Sequence, residues 1–174
     1  MVTASALHPL LLIDVDGVIS LFGFDPSRRP PGRLAMVDGL PHLLADHAGD
    51  RLTRLARSFE SVWCTGWEER AAEHLPGLLG LAGAPYPHLT FEGFDGQPGR
   101  HWKLDAIDAY AGDERALAWV DDGHDERTRE WADQRPGPTL LVTTDPALGL
   151  THEQVERLEE WALCRRRLGL TELS

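Results

Sequence analysis

Leu10-Leu11-Leu12-Ile13-Asp14-Val15-Asp16-Gly17 is a short apolar run that ends in two carboxylates and a glycine. Four apolar residues without polar alternation read as a central strand buried on both faces, the pattern of a parallel sheet covered by helices. Similar short runs recur at residues 61–64, 89–91, 116–120 and 139–142, each followed by polar or turn residues, which makes five candidate strands. Helical stretches fill the intervals at residues 43–58, 68–75, 102–111 and 126–134. A last helix starts near Thr151, where Thr151 and Gln154 have capping-box spacing, and ends in Arg165, Arg166 and Arg167, which suit its negative C-terminal dipole.

Alternation of this kind predicts an α/β fold: a three-layer, Rossmann-like sandwich with a mostly parallel five-stranded sheet and helices on both faces. At 174 residues and 42% apolar composition, the expectation is one domain over residues 1–174 with a proper core. Two Pro- and Gly-rich loops, at 23–32 and 93–100, are too short for a second domain; the first reads as a surface excursion that overhangs a site. The first apolar run is too short to span a bilayer, and no basic segment precedes it as in a secretory signal. The expected location is therefore cytoplasmic, with no membrane partner. Cys64 and Cys164 are too few for a disulfide framework and lack zinc-site spacing, so both read as reduced, packed thiols. A net charge of −11 argues against broad adhesion to nucleic acid or anionic membrane, but leaves room for a phosphorylated substrate held locally.

In an open parallel sheet, ligands bind outside the carboxyl ends of the strands. The first strand delivers Asp14 and Asp16 there, the second Thr65 and Gly66, and the fourth Asp121 and Asp122, while Lys103 begins the preceding helix. Period two puts Asp14 and Asp16 on the same side while the strand lasts, with Asp121 and Asp122 converging on them. Two carboxylates about 4 Å apart repel by roughly 4 kcal/mol at an effective dielectric near 20, so such a group needs a cation or must protonate. Oxygen-only ligands beside a phosphate favour Mg²⁺. One carboxylate is placed to attack phosphorus and a second to protonate the leaving oxygen and then activate water. Lys103 neutralises phosphoryl oxygens, and Thr65 with the backbone N–H groups after it, including Gly66, forms an anion cradle at the start of a helix.

These residues, in this order, resemble the haloacid dehalogenase (HAD) superfamily of phosphohydrolases over almost the whole chain. Asp14-Val15-Asp16-Gly17-Val18 matches its first motif, which implies that Asp14 is the nucleophile and Asp16 the general acid/base. Thr65 matches the second motif, Lys103 the third, and Val120-Asp121-Asp122-Gly123 the acidic fourth. The resemblance implies a Mg²⁺-dependent phosphatase with an aspartyl-phosphate intermediate, the metal held by Asp14, the backbone carbonyl of Asp16 and Asp122, with Asp121 the alternative. It also implies a member without a large cap, carrying a small flap over about residues 21–37 within an excursion of about 18–40, and an open site suited to a large substrate. The Trp63-Cys64-Thr65-Gly66-Trp67 and Trp102-Lys103 contexts are similar to HAD domains associated with RNA-repair proteins. They point to a nucleotide or to an RNA or DNA end as substrate; the alternative is a noncatalytic phosphate- or partner-binding module that keeps the fold.

Other residues have two readings. Trp63, Trp67 and Trp102 stack on a base or pack in the core. Arg28, Arg29 and Arg33 meet substrate phosphates from the flap or are solvated. His101 and His124 are acid/base auxiliaries or supporting side chains, as are Asp125 and Glu126 for the metal, and Cys64 reads as a structural thiol rather than a nucleophile.

Overall fold

The computed structural model describes residues 8–83, 85–93 and 101–171. Its elements, in chain order, are β1 (Leu10–Ile13), β2 (Ser20–Leu21), β3 (Gly32–Val37), β4 (Leu40–Ala45), α1 (Ala48–Leu55), β5 (Glu60–Trp63), α2 (Glu69–Leu79), α3 (Leu104–Ala111), β6 (Leu117–Asp121), α4 (Glu126–Gln134), β7 (Thr139–Thr143) and α5 (His152–Thr171). Four of the strands form a parallel sheet in the order β5-β1-β6-β7. The chain leaves β1 towards β5 and leaves β6 towards β7, so the carboxyl ends of β1 and β6 flank a reversal of strand order.

Side chains of β1 and β6 alternate between two cores. Leu11, Ile13, Ala118 and Val120 pack with Leu52 and Leu55 of α1, Leu75 of α2 and Val155 and Leu158 of α5. On the opposite face, Leu10, Leu12, Leu117 and Trp119 pack with Leu104 and Ile107 of α3 and with Trp131 of α4. This is the expected three-layer sandwich. The last helix opens with the reciprocal cap: Gln154 accepts from Thr151 N at 2.9 Å, and Thr151 Oγ1 accepts from Gln154 N at 3.3 Å.

Several expectations are corrected. The sheet has four strands rather than five, because residues 89–91 do not extend along the edge of β5. His88 makes only an isolated bridge to Trp63. Pro85 and Pro87 lack the N–H groups a ladder needs, and Phe91 N donates instead to the Glu68 carboxylate at 2.8 Å. The helix expected from residue 43 starts at Ala48, since Leu40–Ala45 is drawn into strand pairing. The flap is thus a three-stranded antiparallel sheet, β2-β4-β3, rather than a loop. Its hairpin turns on Asp38 and Gly39, both at positive φ (49° and 80°), the geometry that an Asp-Gly pair favours. Helix α2 continues past Pro76 and stops at the left-handed Gly80. Helix α5 runs on to Thr171, so Arg165, Arg166 and Arg167 lie inside it. Cys64 is buried as expected, but Cys164 is exposed. The second Pro- and Gly-rich loop lies, apart from Gly93, outside the described residues.

Candidate active site

Asp14 directly follows β1, and Asp121 ends the neighbouring β6. Continuing the alternation of Leu10 and Leu12, and of Leu117 and Trp119, both carboxylates turn to the α3 side of the sheet. Lys103, one residue before α3, meets them there: its Nζ lies 2.8 Å from Asp14 Oδ2 and 2.6 Å from Asp121 Oδ2. An ammonium at a helix N-terminus is disfavoured by the helix dipole, so the two carboxylates are what hold it in place. All three groups are buried. Val15 N donates to Asp14 Oδ1 at 2.7 Å. Asp121 is bound more fully, accepting from Trp119 Nε1 at 3.1 Å and from Gly123 N at 2.8 Å as well.

Burial pushes the Asp14 pKa up to about 6 despite the opposing charge of Lys103. For Asp121, burial works in the same direction, but the charge and hydrogen bond of Lys103 prevail and hold it below the usual carboxylate value. Burial alone would lower the Lys103 pKa, yet its carboxylate partners raise it, so it stays charged.

Asp122 adds a third carboxylate. Ligand oxygens of Asp14, Asp121 and Asp122 all lie within 4.8 Å of one another. Burial and the nearby Asp121 raise the Asp122 pKa. The side chain of Asp122 packs over Gly17, where a Cβ would fall 2.5 Å from its carboxyl carbon, and the backbone there has a φ of +74°. Glycine is required at position 17 on both counts. Three carboxylates against one ammonium leave two negative charges, and an all-oxygen donor set with that charge suits Mg²⁺.

The structure does not bring Asp16 into this cluster. The strand ends at Ile13, and the chain turns back so that Gly17 N and Ser20 O bond at 2.8 Å, which carries Asp16 away from the period-two direction. Its side chain, 51% exposed, accepts from Trp67 Nε1 at 3.0 Å and lies 3.9 Å from His42 Nδ1. Thr65 is buried one residue after Cys64, beyond the end of β5, and Gly66 is exposed beside it. Thr65 Oγ1 accepts from Trp67 N at 3.4 Å, and its carbonyl accepts from Glu68 N at 3.0 Å, which forms the tight turn before α2.

A family model described as the HAD domain in Swiss Army Knife RNA repair proteins matches residues 10–155. The chain belongs to this family. Among solved structures, a protein described as a HAD superfamily (subfamily III A) hydrolase from Legionella pneumophila is similar, with a TM-score of 0.45 and 16% identity over 94% of this chain and 86% of that chain. Among curated proteins, none is significantly similar to it in sequence.

The other candidates of this HAD domain sort by their contacts. Trp63 and Trp67 are core residues. Trp102 is 46% exposed; its ring lies 5.3 Å from Lys103 Nζ and in edge contact with Phe91. Arg33 donates to the Leu78 carbonyl and so ties the flap to α2, while Arg29 donates to Gly32 O at 3.2 Å. Asp125 caps α4 by accepting from Thr128 N at 2.8 Å. His124 is buried, its Nδ1 3.1 Å from Thr143 Oγ1, and burial lowers its pKa to about 4, which keeps it neutral. Burial also lowers the His101 pKa. Cys64 is fully buried and its thiol pKa is pushed up, so it is no nucleophile. Reading the sequence missed His42 and the role of Trp67; the Asp38-Gly39 hairpin signal was the one clue that would have placed His42 on a strand.

Proposed function

We propose that this HAD domain is a phosphatase that works through an aspartyl-phosphate on Asp14. The observation that carries the reading is Lys103 Nζ bridging Asp14 and Asp121 beside Asp122, at the carboxyl ends of two adjacent parallel strands. With its pKa held near 6, Asp14 is mostly ionised at neutral pH and able to act as a nucleophile. A carboxylate oxygen of Asp14 forms the bond to phosphorus as the bond to the leaving oxygen breaks. The departing electron pair takes the proton of the Asp16 carboxyl. Asp16, now a carboxylate, removes a proton from water, whose oxygen attacks the same phosphorus and restores the Asp14 carboxylate. Lys103, Thr65 and the backbone around Gly66 hold the phosphoryl oxygens.

Asp14, Asp122 and the backbone carbonyl of Asp16 would hold Mg²⁺, with Asp121 committed mainly to Lys103, Trp119 and Gly123. When bound, the ion offsets the charge that builds up on the phosphoryl group. For the substrate, the family description and the exposed Trp102 beside Lys103 support a nucleotide or polynucleotide phosphate end.

The test is phosphate release from p-nitrophenyl phosphate, nucleotides, sugar phosphates and 5′- or 3′-phosphorylated oligonucleotides, with Mg²⁺ and with chelator. Release that needs Mg²⁺ and falls about a thousandfold or more in Asp14→Asn is expected. Mg²⁺ binding without release from any substrate would instead favour a binding module.

A further inference from the structure

We infer that Trp67 is a positioning residue for Asp16, its indole N–H fixing the orientation of the carboxyl proposed as the leaving-group acid. The inference rests on the phosphatase reading and goes beyond it. Asp16 is the one carboxylate of the first motif that Lys103 does not reach, and its side chain is half exposed, with His42 Nδ1 3.9 Å from Oδ1. Trp67 holds it. Its ring is buried in the core beneath the flap, and its Nε1 donates to Asp16 Oδ2 at 3.0 Å. That hydrogen bond fixes Asp16 Oδ2 and with it the orientation of the whole carboxyl.

The same residue holds the phosphate side of the site. Trp67 N donates to Thr65 Oγ1 at 3.4 Å, which occupies an acceptor position on that hydroxyl and leaves its own proton to donate elsewhere. The indole is fixed in turn from the flap, where the His42 ring meets it edge-on at 4.5 Å and His42 Nδ1 lies 3.0 Å from Ser20 Oγ. Acid and flap thus meet at the Trp67 ring, while the hydroxyl is held by the Trp67 backbone N–H, which Trp67→Phe retains.

The test compares kcat/KM for p-nitrophenyl phosphate, whose leaving group needs little protonation, with that for glycerol 2-phosphate, whose alkoxide needs a proton. Both are measured in the wild type, Trp67→Phe, Asp16→Asn and the double variant, each checked for folding by thermal melting. Trp67→Phe should lower kcat/KM for the alkyl phosphate by about 10–100-fold, a part of what general acid catalysis contributes. The aryl phosphate should change by less than about threefold, and Trp67→Phe should add nothing in the Asp16→Asn background. Equal losses on both substrates, or a full loss that persists without Asp16, would reduce Trp67 to packing and overturn the inference. A wild type that is inert with Mg²⁺ on both, and on the nucleotides and phosphorylated oligonucleotides as well, would overturn the phosphatase reading itself. Independently of turnover and of how Trp67→Phe folds, Asp16→Asn should shift the Trp67 indole N–H proton resonance more than those of the other five tryptophans. An unmoved resonance would refute the contact.

Discussion

Around Lys103, the carboxylates of Asp14 and Asp121 are closed in behind the ends of β1 and β6, whereas Asp16, two residues further along, keeps half its side chain in solvent and depends on a tryptophan from the next strand-to-helix turn. The difference lies in where the sheet stops. Inside it, alternation aims both acids at one lysine and buries all three, so charge compensation is compulsory. Outside it, water solvates the carboxylate, and a hydrogen bond decides orientation rather than stability. In the proposed mechanism the buried group holds charge and the exposed one moves a proton.

The comparison is broken or sharpened most directly by removing the ammonium. Lys103→Met leaves two buried carboxylates without their cation and should cost about 3–5 kcal/mol, read as a lower urea midpoint in chelator. A loss no larger than that of an ordinary surface substitution would show that water reaches the cluster.

Asp14→Asn should act in the opposite direction. The folded pKa of Asp14, near 6, lies above its ordinary value of 3.8, so between these pH values the folded chain binds more protons than the unfolded one. Stability contributed by this group therefore falls as pH rises through that window, and the full deficit is present above it. The neutral asparagine escapes the deficit and should gain about 1–3 kcal/mol at pH 8 without metal, a gain that disappears near pH 4. Paired melting curves at the two pH values measure it.

The smallest effect belongs to the rim. Asp16→Asn should alter stability by no more than about 0.5 kcal/mol at pH 7, even though it removes the proposed acid. If it proved as destabilising as Lys103→Met, the exposed and buried carboxylates would be one energetic unit.

The parallel sheet was legible because buried parallel strands are written as unbroken apolar runs, so β1, β5, β6 and β7 stand out along the chain and their carboxyl ends locate Asp14, Thr65 and Asp121. Residues 89–91 looked the same, but only Leu89 N donates to β5, at Trp63 O, while Phe91 N goes to Glu68 and Pro85 and Pro87 offer no donors upstream. The flap was misread for the converse reason. Pro41 and the apolar run Leu43-Leu44-Ala45 suit neither clear alternation nor a loop, and only pairing with β2 and β3 makes that stretch a strand.

The sequence by itself determined the layered α/β architecture and the order of acids, hydroxyl and lysine, because strand burial and helix capping are local consequences of residue type and spacing. Tertiary structure alone decided that Lys103 bridges Asp14 and Asp121, that Asp122 closes over Gly17, and that Asp16 turns to Trp67 and His42. Those outcomes depend on strand register and on where each strand ends, and backbone hydrogen bonds between segments distant along the chain set both.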